Sequence, residues 1–161
     1  KTSYPFLKVF KKNECENIIE QHNHNSMVIL GNSIDVLQTF KDNAELNEDF
    51  QRIVYAISKI LNNGALERYF RPEGKINDGV CAVPIESGKL RLYCLRMSDQ
   101  ILIVGNGGIK STRTYNENPI LSGYVLDLQK FEKLIRTGIK RGTLSIEEKE
   151  IIGVEGKIFE I

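Results

Sequence analysis

The chain has 161 residues, with 22 Lys and Arg against 21 Asp and Glu, a formal net charge of +1, and 41% hydrophobic residues. That size and composition fit one globular domain, and two compact folds would be a tight fit; such a core buries roughly 70% of the unfolded surface and needs no metal or disulfide staple. Near-neutrality excludes a global field that would gather nucleic acid or an anionic membrane, so either partner would have to be met by a local patch.

The first 63 residues read mainly as helices. Asn13 stands three positions before Glu16, and Ile18-Ile19 supply a small apolar face, which predicts a short helix to about His22. Met27 to Leu30 is a short apolar run ending at Gly31-Asn32; it fits a strand or the start of a second helix, and periodicity does not choose between them. Ile34, Leu37 and Phe40 follow at helical spacing behind Ser33 as a cap. The strongest helix of this half is Asn47 to Asn62, where Phe50, Ile53, Val54, Ile57, Ile60 and Leu61 form one stripe and Asn62-Asn63-Gly64 stop it.

From Gly79 the period changes to two. Gly79 to Val83, Lys89 to Arg96 and Gln100 to Val104 read as three strands, with Met97-Ser98-Asp99-Gln100 joining the last two. In the second strand Leu90, Leu92 and Cys94 share one face, and Arg91, Tyr93 and Leu95 share the other, which is expected to point outward. Asn118-Pro119 is a helix start, with Leu121, Val125, Leu128, Phe131 and Ile135 running down to Gly138. Ser145 to Glu148 has the form of a capping box, which predicts a last short helix before a terminal strand within Val154 to Ile161. The order is helices, an antiparallel meander of at least three strands, a helix, then a strand, an α+β fold.

Three cysteines, Cys15, Cys81 and Cys94, are an odd number without CxxC spacing, which argues against a secreted disulfide framework and a four-cysteine zinc site. A cytoplasmic location is expected. No apolar run approaches the ~20 residues that span a bilayer, so no membrane partner is expected. Gly105-Asn106-Gly107-Gly108-Ile109-Lys110-Ser111 follows an apolar strand and ends in Lys-Ser, but Ile109 stands where a Walker A loop needs Gly, and no helix opens at once. It reads as a glycine-rich turn leaving a strand. His22 and His24, the only histidines, lie near Cys15 without the ligand number or spacing of a metal site, and no Gly-x-Ser-x-Gly elbow is present. Neither a metal nor a cofactor is expected.

The informative signal is local charge. Lys89 to Tyr115 holds five basic residues, Lys89, Arg91, Arg96, Lys110 and Arg113, against Asp99 alone, so the remainder of the chain is net acidic. Tyr93 and Tyr115 are interleaved with these cations, and Arg68, Tyr69, Phe70, Arg71 and Lys75 form a second basic and aromatic cluster. Arg and Lys bind phosphates and tyrosine faces stack on bases, the composition of a surface for single-stranded RNA. The competing reading is that these cations are the solvent face of an antiparallel sheet.

Lys89-Leu90-Arg91-Leu92-Tyr93-Cys94-Leu95-Arg96, then Gln100 to Gly105, then Ile109-Lys110-Ser111-Thr112-Arg113-Thr114-Tyr115 resembles the RelE/HigB-like toxin superfamily of bacterial type II toxin-antitoxin systems. The pattern is an Arg and aromatic strand, a tight hairpin, an apolar strand, a basic turn and a closing helix. The resemblance covers about residues 34–135, leaving a helical extension at 1–33 and a helix-strand extension at 139–161, all within a single domain. It implies helices packed on one face of a small antiparallel sheet. It also implies metal-independent cleavage of ribosome-bound messenger RNA, in which the 2′-OH attacks the adjacent phosphate, and a cognate antitoxin protein as partner. On that resemblance Arg91, Lys110, Arg113 and Tyr115 are the catalytic candidates, expected to converge on one exposed concave surface; Arg68, Arg71, Lys75, Lys89, Tyr93 and Arg96 are the RNA-binding ones. Cys81, Ala82 and Val83 stand where RNA-cleaving relatives carry lysines. A non-catalytic RelE-like domain that binds a partner, such as an antitoxin-like DNA-binding protein, is the alternative. A small-molecule enzyme would need a deep pocket.

Overall fold

The computed structural model describes residues 3–4, 7–8, 26–30, 42–72, 78–83, 85, 87–147, 150–153 and 159–160. The expected helices at Asn13–His22 and around Ile34–Phe40 lie outside these residues, as do His22, His24, Cys15 and Lys75.

Among the described residues the fold is α+β, built on a six-stranded sheet and two α-helices. Its centre is the expected meander, β5 (Val80–Ala82), β6 (Leu90–Arg96) and β7 (Ile101–Ile109), paired antiparallel with Cys81 opposite Cys94 and Leu95 opposite Ile103. β4 (Arg71–Pro72) adds to the β5 edge. On the other side β3 (Ser26–Leu30) runs parallel to β7, and β2 (Leu7–Lys8) pairs antiparallel with β3. The apolar run at Met27 to Leu30 is therefore a strand. With β1 (Ser3–Tyr4), which pairs with β10 (Phe159–Glu160), the described parts of residues 1–33 are strands where a helical extension is expected.

Helix α1 (Asn47–Asn63) forms where its stripe predicts, with Phe50, Ile53, Ile57 and Ile60 buried. It stops at Gly64, whose φ of 92° favours glycine and whose N–H donates to the Ile60 carbonyl. Helix α2 (Pro119–Lys140) begins at the Asn118 cap, whose side chain accepts from the N–H groups of Ile120 and Leu121.

The two helices lie on opposite faces of the sheet. Leu90, Leu92 and Cys94 pack with α1, whereas Tyr93, Leu95, Ile101 and Ile103 pack with Leu121, Val125, Leu128, Phe131 and Ile135 of α2. The expectation of helices on one face, with the Arg91-Tyr93-Leu95 face turned outward, is thus corrected. A strand covered on both sides needs apolar residues at successive positions, which is what Leu92 to Leu95 and Ile101 to Val104 supply.

Two further expectations fail for identifiable reasons. The glycine-rich segment is no turn: β7 runs through it to Ile109, with one extra residue of β7 bulging between Val104 and Gly107 against Cys94 and Leu92. A Cβ on Gly107 would fall well inside contact distance of the Arg91 carbonyl oxygen, and one on Gly105 would sit 3.0 Å from the Leu128 side chain. These glycines let the neighbouring backbone and α2 close onto the strand. Ser145–Glu147 is a strand, β8, paired with β9 (Glu150–Ile152), where the capping box predicts a helix. After α2 the chain folds back, with the N–H groups of Thr143 and Leu144 donating to the Gly138 carbonyl, and buries Leu144 and Ile151 against the α2 core. Burial of apolar side chains outweighs a local cap worth about 1 kcal/mol.

Candidate nucleic-acid interface

The proposed basic site sits at the open end of the β6–β7 pair. Arg91 is opposite Gly108 in register, and the Lys110 N–H donates to the Lys89 carbonyl at 2.6 Å, so the backbone ladder itself brings Lys89, Arg91 and Lys110 to one rim. Asp49 of α1 fixes the entry to β6. Its Oδ2 accepts from the Lys89 N–H at 2.6 Å and the Leu90 N–H at 3.0 Å. Gly88, at φ 116°, packs so closely on this carboxylate that a side chain there would collide with it.

Arg91 is partly buried, and its Nη1 donates to the carbonyls of Gly88 at 3.0 Å and Leu90 at 2.7 Å. These bonds hold the guanidinium at the strand start and leave Nε and Nη2 without a protein acceptor among the described residues. Lys89 is exposed and Lys110 partly so. Arg113 is exposed in the loop that leads to α2, where Thr112 Oγ1 donates to the Thr114 carbonyl and Thr114 Oγ1 to Glu117 Oε1. Tyr115 opens the short 3₁₀ turn at the end of that loop; only its backbone is described. Among the described residues no carboxylate pairs with Lys89, Lys110 or Arg113. The rim therefore carries cations with no carboxylate partner among the described residues, and it can hold phosphate oxygens by charge-assisted hydrogen bonds.

The other RNA-binding candidates part company with this rim. Tyr93 is 0% exposed within the α2 core, so its ring is not available for stacking on a base. Arg96 lies at the opposite end of β6 and is a structural clamp. Its Nε donates to the Ala65 carbonyl at 2.5 Å and its Nη2 pairs with Asp99, while the Ala65 N–H donates to the Asp99 carbonyl. The clamp ties the β6–β7 hairpin to the end of α1. Arg68 is exposed, with its guanidinium 5.3 Å from the Tyr69 ring centre, on the turn after α1. Arg71 is placed by its backbone in β4, opposite Ala82.

Sequence reasoning passes over two features. A cavity of about 670 Å³ opens beside α1, lined by Arg52, Tyr55, Lys59, Tyr69, Ile85 and Ser87, of a size for a small ligand. Arg52 is committed to Glu48 and Ser87, and Lys59 lies 5.6 Å from the Tyr55 ring centre. The exposed face of α2 carries the second feature, a row of cations at Lys130, Lys133, Lys140 and Arg141. Their helical spacing was the available signal.

Cys81 and Cys94 face each other across β5 and β6 with their sulfurs 3.6 Å apart beneath α1. Burial, then the hydrogen bond with Cys81, pushes the Cys94 thiol well above its ordinary range, so it stays protonated and serves as core. Among the described residues, no group of three His, Cys, Asp or Glu side chains could hold a metal ion, and no helix is long and apolar enough to cross a membrane. No protein-family model, curated protein or solved structure matches the chain.

Proposed function

We propose that the chain is a RelE/HigB-like ribonuclease toxin that holds messenger RNA by its phosphates at the Lys89–Arg91–Lys110–Arg113 rim. The observation that supports this reading is that strand register brings together Lys89, Arg91 and Lys110, which are separated in sequence and have no carboxylate partner among the described residues, with exposed Arg113 three residues further on in the loop. In the reaction the RNA 2′-OH gives up its proton to solvent water and its oxygen bonds to the adjacent phosphorus, forming a 2′,3′-cyclic phosphate as the bond to the 5′-oxygen of the next nucleotide breaks and that oxygen leaves protonated. Arg91, Lys110 and Arg113 meet the charge that builds on the phosphate oxygens, and Tyr115 is assigned the proton at the leaving oxygen. The substrate is ribosome-bound messenger RNA, the compartment the cytoplasm, and the protein partner an antitoxin.

One observation favours the non-catalytic alternative. Both faces of the meander are covered by helices, so the rim, rather than an open concave sheet, is what remains for RNA. Expression in a bacterial host decides between the readings. A toxin arrests growth, and Arg91→Ala or Arg113→Ala lowers the cleavage rate by ~10²–10³, about 3–4 kcal/mol in barrier, and relieves the arrest. A host that tolerates the wild-type chain at the same level selects the binding module.

A further inference from the structure

The C-terminal half of α2 presents a charge pattern that its fold does not require. Between Gln129 and Arg141 the basic residues are Lys130, Lys133, Arg136, Lys140 and Arg141, all exposed. The only acid in that stretch, Glu132, is 5% exposed and is turned inward. Its carboxylate accepts from the Gly79 N–H and from Arg136, fastening α2 to the start of β5. Arg136 is therefore committed, whereas among the described residues Lys130, Lys133, Lys140 and Arg141 have no carboxylate partner.

Helix-end electrostatics account for part of this row. Cations in the last turn complement the macrodipole, which covers Lys140 and Arg141, but the effect fades beyond that turn and leaves Lys130 and Lys133 unexplained. Three partners for such a face can be compared. A membrane-surface helix needs its apolar stripe free to enter lipid, and here Leu121, Val125, Leu128, Phe131 and Ile135 are buried against the sheet. The core of a protein interface is depleted in Lys. A phosphate backbone is matched by lysines that repeat along one side, with Thr137 between Lys133 and Lys140 as a neutral hydrogen-bonding group.

We infer that the exposed face of α2, through Lys130, Lys133, Lys140 and Arg141, is a second phosphate-contacting surface for the RNA chain that meets the rim. Lys130 to Arg141 and Pro119 to Lys130 are each eleven residues apart, about 16 Å along the axis. The first turn of α2 follows the Lys110–Arg113 loop after the short Tyr115–Glu117 turn, a separation that one extended RNA strand is long enough to span. The inference rests on RNA as the ligand in the proposed function, and it requires no cleavage.

The test is fluorescence anisotropy of a uridine-rich 2′-O-methyl RNA oligonucleotide, which lacks the attacking 2′-OH, titrated with the full chain at several salt concentrations. Lys130→Gln/Lys133→Gln/Lys140→Gln removes three cations and leaves the Arg136–Glu132 pair in place. For three single-strand phosphate contacts the slope of log K against log salt falls by about 2, and affinity at low salt drops roughly tenfold. A thermal melt unchanged from wild type shows that folding is intact. Wild-type binding that the triple variant leaves unaltered, or a wild type that binds anionic vesicles and not the oligonucleotide, overturns the inference. RNA binding that depends on α2 in a chain that causes no growth arrest leaves this surface standing and removes only the nuclease reading.

Discussion

At the hairpin end of the β6–β7 pair Arg96 donates to the Ala65 carbonyl and pairs with Asp99, while at the open end Lys89, Lys110 and Arg113 meet no carboxylate among the described residues. Both ends contribute to the same basic stretch of sequence and share one pair of strands. The first cation is held at 22% side-chain exposure and joins α1 to the hairpin. The others border solvent, Lys89 and Lys110 held in position by backbone bonds that leave their charged heads unused and Arg113 exposed in the following loop. Charge density along the chain is therefore a poor guide to a binding site until each cation's partners are known, because a cation committed to a carbonyl and a carboxylate has few donors left for phosphate.

The comparison breaks most visibly at Arg96. Arg96→Ala leaves the Ala65 carbonyl without its side-chain donor and frees the hairpin from α1, with an expected loss of about 2 kcal/mol, most of it from the hydrogen bond rather than the exposed ion pair. Chemical denaturation of the variant measures this. Phosphate-dependent binding by the folded variant stays at the wild-type level; a loss of RNA affinity without a loss of stability would place Arg96 with the rim after all.

Asp49 sharpens the comparison from the α1 side, since it orders the rim without belonging to it. Asp49→Ala strips the Lys89 and Leu90 N–H groups of their shared acceptor, and the expected cost is about 1–2 kcal/mol. Because Arg91 is anchored on the carbonyls of Gly88 and Leu90, loosening this turn also lowers RNA affinity. Asp49→Asn keeps an acceptor oxygen and recovers part of both losses. Equal stability of the Ala and Asn variants would show that the two N–H groups find other partners.

The same contrast marks where sequence was readable. The α1 stripe, the Asn118 cap and the three meander strands carry local signals, a 3.6 period, a side-chain acceptor before proline and a period of two, and each forms as expected. Which face of β6 is covered is a tertiary property. The alternation of Arg91 and Tyr93 with Leu90 and Leu92 points Tyr93 to a wet face, whereas the neighbouring run Ile101 to Val104, apolar at every position, is the pattern of a sheet buried on both sides. Glycines inside β7 and a strand at Ser145 likewise depend on what packs against them, Leu128 and the α2 core, and no local pattern records that. For the site, the register of β6 against β7 places Lys89, Arg91 and Lys110 together, and this was implicit in the hairpin length. The role of Arg96 was not, because its partner Ala65 is distant in sequence and is presented as a bare carbonyl.

The smallest effect on folding is expected at the rim itself. Lys89→Gln/Lys110→Gln removes two charges whose side chains have no partner among the described residues, while the Lys110 N–H bond to the Lys89 carbonyl is made by backbone and survives. Solvent-exposed cations contribute little to stability, so the unfolding midpoint moves by no more than about 2 °C. Binding behaves differently: each lost phosphate contact lowers the salt slope by about 0.7, and the pair by about 1.4, with weaker binding at every salt concentration. Thermal melts and salt-dependent anisotropy on the same samples separate the two responses. A midpoint lowered as far as that of Arg96→Ala would show that the rim lysines are structural like the hairpin clamp, and an unchanged salt slope would remove them from the RNA path.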